Sequence, residues 1–122
     1  DVLLLSDEDG WCGIVDNKAY SRYTISNDHR NRMVRNYIGG LGNYYNGVLP
    51  LAFFTYIAGG FGKNIDTQIR DIVEETSVHG SAVSVSNVIS LVEQAQTAPI
   101  PHPKIKEIFS LDRQILRSDL IL

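Results

Sequence analysis

With 122 residues the chain has room for one compact domain with a single core, and its 43% hydrophobic and 20% charged content excludes disordered and fibrous classes. A single cysteine, Cys12, excludes an internal disulfide, and no apolar run is long enough for a signal peptide or a bilayer span, which suggests a reducing, cytoplasmic setting with no membrane partner. The net charge of −3 excludes a strongly basic nucleic-acid trap, although five of the eleven basic residues, Lys18, Arg22, Arg30, Arg32 and Arg35, fall within positions 18 to 35. His29, His79 and His102 lack ligand spacing, and one cysteine cannot complete a zinc site with them.

Taken in chain order, residues 2 to 5 are an apolar run, 7 to 10 (DEDG) are turn-rich, and 11 to 20 resume a β-prone pattern, so the sequence predicts a β-hairpin with a four-residue loop. A helix is predicted from Ser26 or Asn27 to about Tyr37, with Asn27 or Asp28 able to cap it and Gly39 and Gly40 ending it. Residues 51 to 58 (LAFFTYIA) read as a buried central strand stopped by Gly59 and Gly60. Asn64 then caps a helix to about Thr76, whose Ile65, Ile69, Ile72 and Val73 make one stripe. A short strand is predicted at 81 to 85, a helix from Ser86 or Asn87 to about Gln96, and, after the APIPHP breaker, a final helix from Lys104 to Ile115. Strands alternating with helices define an α/β class.

The hairpin carries the chemistry. A loop over 7 to 10 makes Ser6 face Trp11 and every opposed pair sum to 17, so Asp1 lies opposite Asp16 on one face, with Cβ atoms roughly 4.5 to 5.5 Å apart. Lys18, two residues beyond Asp16, joins that face. Leu3 with Ile14 and Leu5 with Cys12 share it, while Val2 with Val15 and Leu4 with Gly13 occupy the other; both faces are apolar, so the hairpin belongs to a covered sheet. Two carboxylates so close to a core must share a proton or hold a cation, and oxygen ligands favour Mg²⁺ or Mn²⁺. Such an ion activates water for phosphodiester hydrolysis, and Lys18 can position that water or balance developing charge. An acid two residues before a lysine arises by chance about once in a chain of this length, so the weight lies on the strand context and the opposed Asp1. Asp7, Glu8 and Asp9 form a solvated turn at the far end of the hairpin.

The stretch from Gly13 to Ile38, and most specifically Ile14 to Ser21 (IVDNKAYS), resembles the FokI-type cleavage domain of the PD-(D/E)xK nuclease superfamily. FTYIAGGFGKNIDTQI and HGSAVSVSNVISL resemble that domain's later strand, helix, strand and helix, so the likeness runs over most of residues 1 to 115. It implies a restriction-endonuclease-like core, a central mixed β-sheet flanked by helices, forming a single cleavage domain over 1 to 122. The family has a helical segment before the first acid, so the resemblance also implies truncation at the N-terminus. Carried over by position, Asp1 is the first acid, Asp16 the second and Lys18 the catalytic lysine, with the Asn17 carbonyl a further metal ligand.

The implied activity is Mg²⁺-dependent cleavage of double-stranded DNA in a type IIS restriction enzyme of prokaryotic cytoplasm, with recognition supplied by a separate domain or subunit. Arg22, Arg30 and Arg32 are the candidate DNA contacts, with a plain helix surface as the alternative, and His29 reads as surface. Family members pair through an aspartate and an arginine one helical turn apart. The corresponding positions here are approximately Asn31 and Arg35, so transient homodimer, heterodimer and nicking arrangements all stay open. Two other readings remain: a catalytically inactive or partner-dependent module for DNA binding or dimerisation, and a structure-specific repair nuclease of the same superfamily. Gly59, Gly60 and Gly62 are turn glycines, since no phosphate-loop lysine and hydroxyl follow them. Trp11, Phe53, Phe54 and Tyr56 read as core, and Tyr44 and Tyr45 as possible partner contacts.

Overall fold

A computed structural model describes residues 1–121. The hairpin forms in the register the sequence predicts, β1 (Val2–Ser6) running antiparallel to β2 (Trp11–Asn17) from Val2 opposite Val15 to Ser6 opposite Trp11. Only β2 is covered on both faces, however: β1 is the edge strand, and Val2, Leu4 and Leu5 are exposed. The tip closes through Gly10, whose φ of 75° is open to glycine without strain, and its N–H donates to the Ser6 carbonyl at 2.8 Å. Next along the sheet lie β3 (Leu51–Ala58), β4 (His79–Ser84) and β5 (Arg113–Gln114), all parallel to β2, in the order β1-β2-β3-β4-β5. The parallel strands are joined by helical crossovers, α2 (Ile65–Thr76) between β3 and β4, and α3 (Val85–Thr97) with α4 (His102–Phe109) between β4 and β5. The result is a mixed sheet flanked by helices, the fold class expected.

Each face of the sheet has its own core. Ile14, Phe54, Tyr56 and Ala82 point to one side, where Ile65, Ile69 and Ile72 of α2 and Met33 of the first helical segment cover them. Burying each such isoleucine is worth about 1.5–3 kcal/mol. Val83, Ile108 of α4, Ile115 and Leu120 fill the other side. Two glycines are dictated by aromatic neighbours. A side chain at Gly80 would collide with the ring of Phe54, and one at Gly13 with the ring of Phe53.

Several details differ from the sequence reading. The helix expected over 26 to 37 is α-helical only as α1 (Asn27–Asn31), capped by the Ser26 hydroxyl accepting from the His29 N–H at 3.1 Å; it continues as π turns over Arg32–Ile38. Its wider bonds end with the Gly39 N–H on the Val34 carbonyl, five residues back. The fourth strand starts at His79 and stops at Ser84, because Ser84 itself caps α3, accepting from the Asn87 N–H at 3.3 Å. Asn64 occupies the cap position of α2 without a side-chain hydrogen bond. The final helix, expected from Lys104 to Ile115, runs only over His102–Phe109. Asp112 adopts φ 62°, its carboxylate accepts from the Gly80 N–H, and the chain turns to add β5 to the sheet.

Candidate active site

Six consecutive buried residues of β2 end at Asp16, and the chain surfaces at Asn17, where the parallel strands reach their C-terminal ends. Open α/β sheets bind ligands at that edge. The N–H of Lys18 donates to the Ile57 carbonyl at 2.8 Å, extending the ladder with β3. Lys18 therefore stays on the Asp16 face, and its Nζ lies 3.2 Å from Asp16 Oδ2. The pair is shielded: side-chain exposure is 2% for Asp16 and 11% for Lys18.

Asp16 Oδ1 is buried and has no hydrogen-bond partner among the described residues. Tyr56, opposite Asp16 on β3, is fully buried, and its hydroxyl likewise has no hydrogen-bond partner among the described residues. Burial pushes its phenol well above the usual range, with the neighbouring Tyr23 and the charge of Asp16 adding to the effect. Tyr23 is also raised, first by burial and then by Asp16, so its hydroxyl keeps its proton. It lies 2.8 Å from His29 Nδ1. Burial, Lys18 and Arg32 together lower the His29 pKa, outweighing Asp28. A neutral His29 accepting from Tyr23 carries its ring proton on Nε2.

Asp1 precedes β1 by one residue, and continuing the observed register places it opposite Asp16. The register expected from the sequence is thus the one formed. Asp1 is exposed, and its Oδ2 accepts from the Tyr37 hydroxyl at 2.5 Å. Asn17 is exposed at the end of β2. The described residues hold no cluster of three or more His, Cys, Asp or Glu side chains suited to a metal. The expected ligand set is two carboxylates and a main-chain carbonyl, and the orphaned, buried Asp16 Oδ1 fits a hard cation beside an ammonium group.

The basic segment divides. Arg30 reaches across to α2, with Nε 2.5 Å from Asp71 Oδ2 and its other nitrogen on Glu75, and Arg32 pairs with Asp28 at 3.1 Å. Arg22 and Arg35 are exposed and make no ion pair among the described residues. Asn31 is exposed four residues before Arg35. Sequence reasoning passed over Tyr23, Tyr37, Tyr56 and His29 as parts of this neighbourhood. Tyr56 within its apolar strand has the same pattern as a phenylalanine, Tyr37 lies in a helical segment and Tyr23 outside the named strands, and His29 lies among surface residues of its helix; none of these signals marks a site.

The fold and its charged centre at the strand ends define an α/β core of restriction-endonuclease type. The family "FokI, cleavage domain" matches residues 1–116. The chain belongs to the FokI cleavage-domain family. Two solved structures, that of restriction endonuclease FokI and that of FokI bound to DNA, each superpose with a TM-score of 0.77 at 20% identity over 93% of this chain. The chain spans only 22% of the FokI chain in both. Among curated proteins, none matches the chain in sequence. No helix among the described residues is long and apolar enough to cross a membrane.

Proposed function

We propose that residues 1–122 form the DNA-cleavage domain of a type IIS restriction enzyme, a Mg²⁺-dependent endodeoxyribonuclease in which Mn²⁺ can substitute. Sequence recognition would come from a separate domain or subunit, and the setting would be prokaryotic cytoplasm. The observation that carries the reading is the buried, half-satisfied carboxylate of Asp16 beside Lys18, in a chain of this family. Asp1, Asp16 and the Asn17 carbonyl would hold the metal, which when bound lowers the pKa of water and polarises a phosphoryl oxygen.

The protein's own groups divide the remaining work. Lys18 pairs with Asp16 through Oδ2 and leaves Oδ1 without a protein partner, open to a cation; its ammonium would also orient the attacking water and balance charge developing on the phosphate. Buried Tyr56 and Tyr23 keep bulk water from the inner side of the carboxylate. Arg22 is available to a DNA phosphate, whereas Arg30 and Arg32 would have to exchange Asp71, Glu75 and Asp28 for one. With a net charge of −3, tethering to a recognition domain would supply most of the local DNA concentration.

Exposure of Asn31 and Arg35 along one helical segment favours a second reading, in which cutting depends on a partner subunit, homodimeric or heterodimeric. Supercoiled plasmid treated with the intact protein separates the cases. Mg²⁺- or Mn²⁺-dependent cleavage that is abolished by Asp16→Ala and by Lys18→Ala supports the nuclease. Second-order dependence on protein concentration identifies partner dependence, and accumulation of nicked circles at first order identifies nicking by a single subunit. No cleavage with either metal at high protein concentration overturns the catalytic reading in favour of an inactive binding module, and preference for branched over linear duplex indicates a repair nuclease.

A further inference from the structure

The Asp1 carboxylate is held by one donor. It lies outside the hairpin ladder and is exposed, and among the described residues its sole hydrogen-bond partner is the Tyr37 hydroxyl, 2.5 Å from Oδ2. Tyr37 sits in the π-helical segment Arg32–Ile38, its ring half-buried against the core that contains Leu3 and Ile14. A π turn takes in one residue more than an α turn, so side chains past Arg32 rotate away from the positions that a continuing α-helix would give them, and such turns collect at functional sites. The backbone of Tyr37 is fixed in turn, because the Tyr44 hydroxyl donates to its carbonyl at 2.6 Å. Asp1, Leu3, Ile14, Tyr37 and Tyr44 line one cavity of about 320 Å³.

From this geometry we infer that Tyr37 is a positioning residue of the metal centre: its phenol fixes the rotamer of Asp1 through Oδ2 and leaves Oδ1 directed to the cation. The inference rests on the metal-site reading above. Hydrogen bonds from outer groups to metal-binding side chains set ligand orientation, and their loss typically weakens metal affinity about 10- to 100-fold. Tyr37 and Asp1 join the π segment to the first acid, so the helix that carries Asn31 and Arg35 is mechanically coupled to the carboxylate at the head of β1.

The test is Mn²⁺ binding to the intact protein, measured by titration calorimetry without DNA, for wild type, Tyr37→Phe and Asp1→Asn. The phenylalanine keeps the ring and removes only the hydroxyl. Tyr37→Phe should bind Mn²⁺ about tenfold more weakly, with an unchanged melting temperature in chelator. Its plasmid cleavage should need proportionately more Mn²⁺ yet reach the wild-type rate at saturation. Unchanged Mn²⁺ affinity in Tyr37→Phe, alongside a large loss in Asp1→Asn, overturns the positioning role and leaves the metal centre standing. Unchanged affinity in Asp1→Asn overturns the metal centre itself.

Discussion

Replacing Lys18 by methionine removes the one ion-pair partner, among the described residues, of a carboxylate that is 2% exposed. At the observed separation of 3.2 Å, an effective dielectric of about 20 gives a gross attraction of roughly 5 kcal/mol. Desolvation of both ions offsets much of that in the wild type, but in Lys18→Met the carboxylate keeps its cost and loses its partner, a change worth about 3 kcal/mol. Asp16→Asn strands the lysine instead, with a smaller loss because Lys18 retains some access to water. The double variant Asp16→Asn/Lys18→Met has no buried charge left and should fall within about 1 kcal/mol of wild type, so the two losses should not add. Urea unfolding in chelator at fixed ionic strength reads the whole cycle. Excess Mg²⁺ then supplies a second arm: at one hundred times its Kd it should stabilise wild type by about 2.7 kcal/mol and Asp16→Asn by none. Additive losses, or equal Mg²⁺ stabilisation of wild type and Asp16→Asn, would refute the view that one buried carboxylate is shared between an ammonium and a cation.

Gly80→Ala should destabilise by about 1–3 kcal/mol in thermal unfolding, since its methyl group collides with the Phe54 ring in a filled core; adding Phe54→Leu should restore part of the loss. His29 has a folded-state pKa below its unfolded value of about 6.5. The unfolded chain therefore binds the proton first, and stability contributed by neutral His29 is complete above pH 6.5 and declines as the pH falls towards the folded value. His29→Gln should flatten stability across that acidic window and leave it unchanged at pH 8, and an imidazole titrating at or above 6.5 by NMR would contradict the assignment.

The hairpin and the Asp16–Lys18 pair were legible because two local rules suffice. A four-residue turn fixes the register, and period-2 alternation then places Asp1, Asp16 and Lys18 on one face. The central strand and α2 were legible for a similar reason, a long apolar run and a complete isoleucine stripe. What failed was decided by tertiary contacts. Ile105, Ile108 and Phe109 carry a helical pattern towards Ile115, but Asp112 satisfies the Gly80 N–H and lets Arg113 and Gln114 pair with β4, ending the helix early. No residue between Arg32 and Ile38 announces π turns, and neither Tyr37 nor Tyr56 differs in pattern from an ordinary core aromatic.

The two sides of the sheet support the placement of the proposed site. On the side away from Asp16, the neighbouring strands bury Thr55 and Ser81 opposite one another, and their hydroxyls satisfy each other at 2.8 Å. That buried polar pair on the far face is fully satisfied. On the Asp16 side, one register position along, Asp16 Oδ1 and the Tyr56 hydroxyl are both buried and both unpartnered. A valine at position 16 and a phenylalanine at position 56 would remove both orphaned atoms and keep the apolar packing. That unsatisfied polarity is concentrated at the C-terminal ends of two parallel strands, beside a lysine whose ammonium contacts only one carboxylate oxygen. Such a pair serves folding poorly, and that cost is the physical argument for the proposed cation and phosphate site at this corner.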